Sequence, residues 1–504
     1  IKYIYSPEQK TLILIMNTNI KIYKLKLKLI VNNDLRKIYI TDVPFLLSSK
    51  KDNKNIKAYR GTEVSNVKQI VNQLSVINYK RLNLVGVGYR VFLQKSNKKT
   101  FLNLKLGYSH SIILKVPDEI NIICPKPNVI FISSYNLNLL GSYEWSNTEG
   151  SDIWGWVDPI TENEYALVGL NDGFSCVNVT NPSNPIEEFY IPDLNSTWRD
   201  IKTWGNFAYV TTEANAGLLI VDLTDMTGNT YWHINQFVNQ STGDNINFTA
   251  AHNIYIDENG IAYIFGASSN SGGSPADGVI FLDVAANAVS PVYLGQWDEE
   301  YIHDGMARGD TLYAGCIYTG DLYIIDVSNK ASPSVLGTHP TPNSFTHNAW
   351  VSDDGNYVFT TDEQADSYIG SYNISDMNNI QEVDRIQSNP ESNSIPHNTH
   401  VDGNFLVTSW YRDGTIVHDI SNPNNLVQVA YYDSYNGSGD GFDGCWGTYP
   451  FLPSGNIISS EINSSNTQTG KLMIYDRGFS SACYLEGNVT DGNTGNSISG
   501  VTVV

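Results

Sequence analysis

The chain of 504 residues is long enough for two or three domains with full cores, and its formal charge of −21 averages two blocks of opposite sign. Residues 1–130 hold 23 of the 31 Lys and Arg but 7 of the 52 Asp and Glu, a net of +16; the remainder carries 8 basic and 45 acidic residues, a net of −37. A basic block suits a polyanion and an acidic block repels one, which excludes a single nucleic-acid-binding machine running the whole length. No apolar run is long enough to span a bilayer, so no membrane span is expected. Thr11–Met16 is too short for a secretion signal and no small-residue cleavage site follows it. The chain opens on Ile1, and Met16 is the expected start of the basic block. Cys124, Cys176, Cys316, Cys445 and Cys483 stand singly, without CxxC spacing; buried free thiols are expected, with a Cys445–Cys483 bridge as the alternative.

The basic block reads as a small α+β region over residues 1–134. Thr62 can cap a helix in which Val64, Val67, Val71 and Leu74 recur at helical spacing. The period then changes to two. Leu82, Leu84, Val91 and Leu93 mark one strand, Leu102, Leu104 and Leu106 another, with a polar hairpin turn at residues 94–99. Leu84-Val-Gly-Val-Gly-Tyr-Arg90 and Leu102-Asn-Leu-Lys-Leu-Gly-Tyr-Ser-His110 resemble the second half of the bacterial large-subunit ribosomal protein six family. The resemblance implies a first domain over about 16–78 and an incomplete second one over about 79–134, of organellar or bacterial type. It also implies ribosomal RNA as partner, with Lys51, Lys54, Lys57, Arg90, Lys98, Lys99 and His110 as candidate contacts to phosphates. The family's further helix and basic tail do not follow Ile132. A solvated face is the competing reading of the lysine-rich stretches.

From residue 151 one unit recurs, ending in Gly217-Leu-Leu-Ile-Val-Asp222, Gly278–Asp283, Asp321–Asp326, Thr415–Asp419 and Lys471–Asp476, with weaker copies ending at Asn178 and Asn373. Successive ends lie 44, 61, 43, 47, 46 and 57 residues apart. Strands at a period of roughly 40–50 residues predict four-stranded propeller blades. The fold class is therefore mainly β: a seven-bladed β-propeller over residues 135–478, preceded by the small α+β region. The Leu-Gly of 139–145 matches the outer strands at Tyr293–Trp297 and Val335–His339, so residues 138–145 are expected to supply the last blade's missing strand and close the ring. The repeats resemble the LVIVD-repeat, choice-of-anchor B family of bacterial surface and secreted propellers. Residues 484–504 resemble the start of a carboxypeptidase-regulatory-like β-sandwich, truncated almost at once. Together these imply an extracellular or cell-surface location in Bacteroidetes-like organisms, although no sorting tail is present. That conflicts with a ribosomal segment, and an artefactual joining of two coding sequences is the expectation.

A polar pair opens each blade: Ser151-Asp152, Arg199-Asp200, His252-Asn253, His303-Asp304, His347-Asn348, His397-Asn398 and Phe442-Asp443. Innermost strands would bring all seven to one mouth of the bore, making Asp152, Arg199, Asp200, Asn253, Asp304, Asn348, Asn398 and Asp443 candidate ligand residues. In a structural role, Asp and Asn accept backbone N–H bonds where the chain turns into each inner strand. In a functional role, His252, His303, His347, His397 and His400 hold a metal, and imidazole donors point to zinc, copper or iron rather than calcium. Four carboxylates facing a tunnel raise one another's pKa unless hydrogen bonds or a cation compensate. Asp257–Gly260 and Asp353–Asn356 read as hairpin turns rather than calcium loops. No nucleophile elbow, phosphate loop or dinucleotide fingerprint occurs. The expected function is a non-enzymatic module binding a protein or glycan at one face. A propeller metalloenzyme and a ribosomal component are the alternatives.

Overall fold

In the computed structural model, residues 137–482 are described apart from 269–276, 391, 436, 438, 464–468 and 480, together with strand segments between Lys2 and Ser133. The chain divides into two compact units, residues 1–79 and 80–504. The first holds a three-stranded antiparallel sheet, Lys2–Ser6, Thr11–Met16 and Asn19–Lys24, and a hairpin of Leu27–Asn32 with Lys37–Pro44. The helix expected from Thr62 lies outside the described residues.

The second unit opens with two three-stranded sheets. Lys80–Asn83 joins Asn121–Lys126 and Val129–Ser133, while Arg90–Ser96 joins Lys99–Lys105 and Ile112–Lys115. Leu82 and Val91, read as one strand, thus stand in different sheets. The alternation linking them crosses Gly86 and Gly88, where a continuous strand is weak. Ser96 pairs with Lys99 where the hairpin expected at residues 94–99 closes. Val91, Leu102 and Cys124 form a small core.

Seven four-stranded antiparallel sheets follow. Residues 150–192, 201–234, 253–297, 304–340, 346–386 and 396–432 each supply four strands in chain order. The seventh sheet combines Cys445–Tyr449, Ile457–Glu461 and Thr469–Tyr475 with Leu139–Ser146, which pairs Tyr143 with Leu472 and Trp145 with Gly470. The first strand of each sheet lies against the first strand of the next, and Cys445–Tyr449 lies against Gly150–Val157. The sheets therefore close a ring. This is a β-propeller, its blades numbered here from one at Gly150 to seven at Cys445. Among the described residues the one helical element is a 3-10 turn at Tyr411–Asp413.

Burial falls from the axis outward. Every residue of Glu164–Leu170 in the second strand of blade one is buried, whereas the outer strand Ile186–Pro192 exposes alternate residues to solvent. The acid or amide that ends each repeat has a local task. Asn178, Asp222, Asp326, Asn373, Asp419 and Asp476 each accept the backbone N–H two residues on, at 2.8–3.2 Å, and Asp283 accepts the N–H of Ala286 at 2.7 Å. In blades one to six these Asx turns redirect the chain from the third strand toward the outer one. The outer-strand glycines also have a physical cause: a Cβ at Gly141, Gly295 or Gly337 would run into the carbonyl oxygen of Pro182, Lys330 or Met377. Asp257 accepts the N–H groups of Asn259 and Ile261, and Asp354 that of Asn356, so both acidic tracts form hairpin turns. Cys124, Cys176, Cys316 and Cys445 are buried free thiols, and Cys483 lies outside the described residues.

Candidate functional site at the mouth of the bore

In blades one, five, six and seven the opening pair sits where the innermost strand is irregular. Register shifts fall between Gly150 and Ile153, Thr346 and Asn348, Pro396 and Thr399, and Cys445 and Gly447. Such bulges re-aim side chains that regular pleating would send into the blade interface. The equivalence Thr346, Pro396 and Cys445 makes Trp446 and Gly447 the pair of blade seven. Asp443 is therefore a correction. It lies in the glycine-rich loop before the strand, bonded by Arg412 Nε at 3.0 Å. Partial burial would raise its carboxyl, but Arg412 and neighbouring hydrogen bonds hold it below the usual range.

The first positions form an arc of imidazoles. Ring centroids run 3.8 Å from His252 to His303, 4.3 Å to His347, 4.3 Å to His397 and 4.7 Å to Trp446. Glu363, just past the second strand of blade five, faces this arc. Its Oε2 lies 3.7 Å from His347 Nε2, its Oε1 3.7 Å from His397 Nε2, and Oε1 accepts a 2.7 Å bond from the Tyr411 hydroxyl. His252 Nδ1 meets Glu213 Oε1 at 2.7 Å, and His397 Nδ1 donates to the Trp446 carbonyl at 2.6 Å. Burial, then repulsion from neighbouring imidazoles, holds His303 and His347 well below the usual histidine range; burial pushes His397 down to about 3 and lifts Glu363 to about 7. The imidazoles of His303, His347 and His397 are therefore neutral near pH 7 and can offer lone pairs.

Blades one and two fill the same tier differently. Ser151 Oγ accepts the Arg199 N–H at 2.9 Å. The Arg199 guanidinium, 1% exposed, reaches from the start of blade two into blade one, where Nε donates to the Leu170 carbonyl at 2.8 Å and Nη1 pairs with Asp193, just past that blade's outer strand, at 2.7 Å. Its charge is spent on structure.

The second positions form a tier of acids and amides. Asp200 Oδ1 lies 2.6 Å from Lys202 Nζ, and Asp152 Oδ2 lies 3.6 Å from it. Asn348 stitches three blades, donating to Asp304 Oδ2 at 2.8 Å and accepting from the Thr399 N–H at 3.3 Å. Asp200 and Asp304 also accept the next N–H, at 2.5 Å each, the structural role expected of an opening acid. Lys202 is the compensating cation. Burial would lower its pKa, but Asp200 and Asp152 outweigh burial and raise it. Asp152 nevertheless stays well above the carboxylate range through burial and Asp200, and Asp304 rises to about 6 for the same reasons. Asn253 and Asn398 complete the tier.

His400 is the second correction. It lies three residues past His397, packed against Trp350 at 4.6 Å and Trp154 at 6.0 Å between centroids, and Lys202 Nζ sits 4.4 Å over Trp154. His400 stands two residues past Asn398 on the same strand face, as Trp154 does past Asp152 and Trp350 past Asn348, which places it in this aromatic layer rather than in the imidazole arc. At the arc, a shallow open cleft brings Trp198 and Trp446 together with Asp152, Asp200, His347 and Asn398. Three exposed aromatics surround the mouth: Trp198 (41% exposed) beside Trp446, Phe442 (55%) beside Tyr411, and Tyr318 (77%) beside Tyr301, which itself touches His303.

The LVIVD repeat family matches residues 161–191, 197–228 and 313–341, in blades one, two and four. The chain is a β-propeller carrying LVIVD repeats. A solved β-propeller domain of Cps50 (Swd1) from Myceliophteria thermophila aligns with 66% of this chain and 99% of its own, at 8% identity and a TM-score of 0.44, which adds nothing to the sheet topology. A separate similarity is to large ribosomal subunit protein uL6. That of Rhodopseudomonas palustris is 33% identical over 116 residues, 23% of this chain and 63% of its own length. Those of Nitrosococcus oceani and Malacoplasma penetrans are 36% identical over 94 residues and 30% over 102, covering 19% and 20% of this chain and 51% and 54% of theirs. The chain thus spans between half and two thirds of the length of these curated relatives.

Of the candidate RNA contacts, Arg90 is exposed at the start of its strand and Lys99 opens the strand that pairs with it; Lys51, Lys54, Lys57, Lys98 and His110 lie outside the described residues. Sequence reasoning missed Lys202 and Glu363; Trp446 was legible as an inner-strand tryptophan, read as core packing with glycan stacking at the mouth as the alternative. Lys202 had a signal, since it stands two residues after Asp200 on the same strand face. Glu363 had none, because it leaves a different strand from the one that carries the repeating pair.

Proposed function

We propose that the propeller is a non-enzymatic binding module, extracellular or at the cell surface, that takes a glycan in the cleft at the mouth of its bore. The observation that carries this reading is Trp198, large and 41% exposed, set beside Trp446 over a cleft with amide and carboxylate groups in its floor. A sugar ring stacks its apolar face on indole while its hydroxyls need fixed polar partners, and this cleft offers both. The acidic, lysine-poor propeller with its LVIVD repeats supports the location. Titrating oligosaccharides while following tryptophan fluorescence tests the reading. Binding that weakens tenfold or more in Trp198→Ala is the expected result; no glycan perturbing the fluorescence, or equal binding by the variant, overturns it, and capture of a protein at this face instead favours a protein ligand.

For the basic N-terminal region the similarity to uL6 favours a second reading, ribosomal RNA binding through residues 1–134. Its net charge of +16 over residues 1–130 suits a phosphate backbone. Binding to ribosomal RNA that falls steeply with salt is expected; salt-independent or absent binding rejects it.

A further inference from the structure

The imidazole arc contains a geometric conflict that ordinary packing does not resolve. His397 Nδ1 donates to the Trp446 carbonyl at 2.6 Å, so in the neutral ring Nε2 carries the lone pair. That lone pair faces Glu363 Oε1 at 3.7 Å, an oxygen already accepting from Tyr411. His347 Nε2 faces the other carboxylate oxygen at the same 3.7 Å. Both separations exceed hydrogen-bond length. They approach the spacing of two donors sharing a tetrahedral ion, about 3.4 Å for bonds of about 2.1 Å. One donor atom from each of His303, His347 and Glu363 falls within 4.8 Å of the others. The Nδ1 atoms of His303 and His347 are buried without a hydrogen-bond partner, which costs free energy unless something fills the role.

We infer that Glu363, His303, His347 and His397 form a site for one divalent transition ion of the zinc type. Imidazole nitrogen with a single carboxylate suits zinc, whereas calcium and magnesium require shells of oxygen. The surroundings have the form of an outer shell. Tyr411 fixes the carboxylate, the Trp446 carbonyl fixes the His397 tautomer, and Glu213 orients His252 at the end of the arc. The inference does not depend on glycan binding, and its test contains no glycan.

The test uses the full chain, stripped with chelator and dialysed against Zn²⁺ or Co²⁺, with metal content and the visible Co²⁺ spectrum as readouts. One equivalent per chain and intense bands of low-coordinate Co²⁺ are expected. His347→Ala and the near-isosteric Glu363→Gln lower the affinity tenfold or more, Tyr411→Phe lowers it less, and His400→Ala leaves it unchanged. Circular dichroism identifies any variant that fails to fold, and Glu363→Gln decides the matter if His347→Ala does. No stoichiometric ion after reconstitution overturns the inference, as does unaltered affinity in folded Glu363→Gln.

Discussion

The mouth of the bore has two arcs built on one repeating backbone. In blades three to six the first position of each inner strand is histidine, and the tilted rings stand 3.8–4.3 Å apart with the Nδ1 atoms of His303 and His347 left unpaired. In blades one and two the same position is Ser151 or Arg199, and every named polar group there is consumed by a carbonyl, a carboxylate or a hydroxyl. A feature repeated around a ring ordinarily serves the ring. Here the backbone repeats while the chemistry does not: one arc holds the blades together, and the other keeps unspent donors.

The largest effect that would sharpen this contrast is on stability. Arg199→Met leaves Asp193 and the Leu170 and Leu194 carbonyls without their buried partner and is expected to cost about 3–5 kcal/mol in denaturant unfolding. In the presence of chelator, His347→Phe removes a nitrogen that has no partner and is expected to cost less than about 1 kcal/mol. Equal losses would erase the distinction between the arcs.

Away from the mouth, blade seven provides a pH test. Glu461 is buried, hydrogen-bonded by Ser434, and burial lifts its carboxyl from 4.5 to about 7. Lys471 and Asp433 are the charged groups acting on it, with opposite signs, and neither offsets burial. Because the folded state holds the proton more tightly, this contribution is complete below pH 4.5 and is lost as pH rises through about 7. The loss is roughly 3 kcal/mol. Glu461→Gln should remove that part of the pH dependence; parallel unfolding profiles for the two proteins between pH 4 and 8 would contradict it. The smallest effect belongs to the element common to all blades. Asp326→Ala deletes the Asx bond to Ser328 and is expected to cost about 1 kcal/mol, as a similar change at any blade end would.

Much of the scaffold was legible because it is local. The acids and amides from Asn178 to Asp476 recur for one turn geometry, and the Leu-Gly pairs of the outer strands recur for one close approach, so each leaves a pattern in neighbouring residues. The four first-position histidines were legible for the same reason. What was misread depended on register or on distance. Phe442-Asp443 resembles a blade opening, but the loop with Gly439, Gly441 and Gly444 shifts the true pair to Trp446-Gly447. His400 lies close to His397 in the chain, yet it follows Asn398 by two residues and joins the layer of Trp154 and Trp350. Glu363 reaches the arc only through the fold, from a strand whose own repeat gives no hint of it.

One consequence follows from the pairing of Leu139–Ser146 with Thr469–Tyr475. More than 300 residues separate these partners, so blade seven cannot be completed on the ribosome until nearly the whole propeller has emerged. Until then the early strand waits without its partner. Cutting or shortening the polypeptide at either flank should therefore loosen the entire disc rather than one sector, and assembly should show a slow last phase.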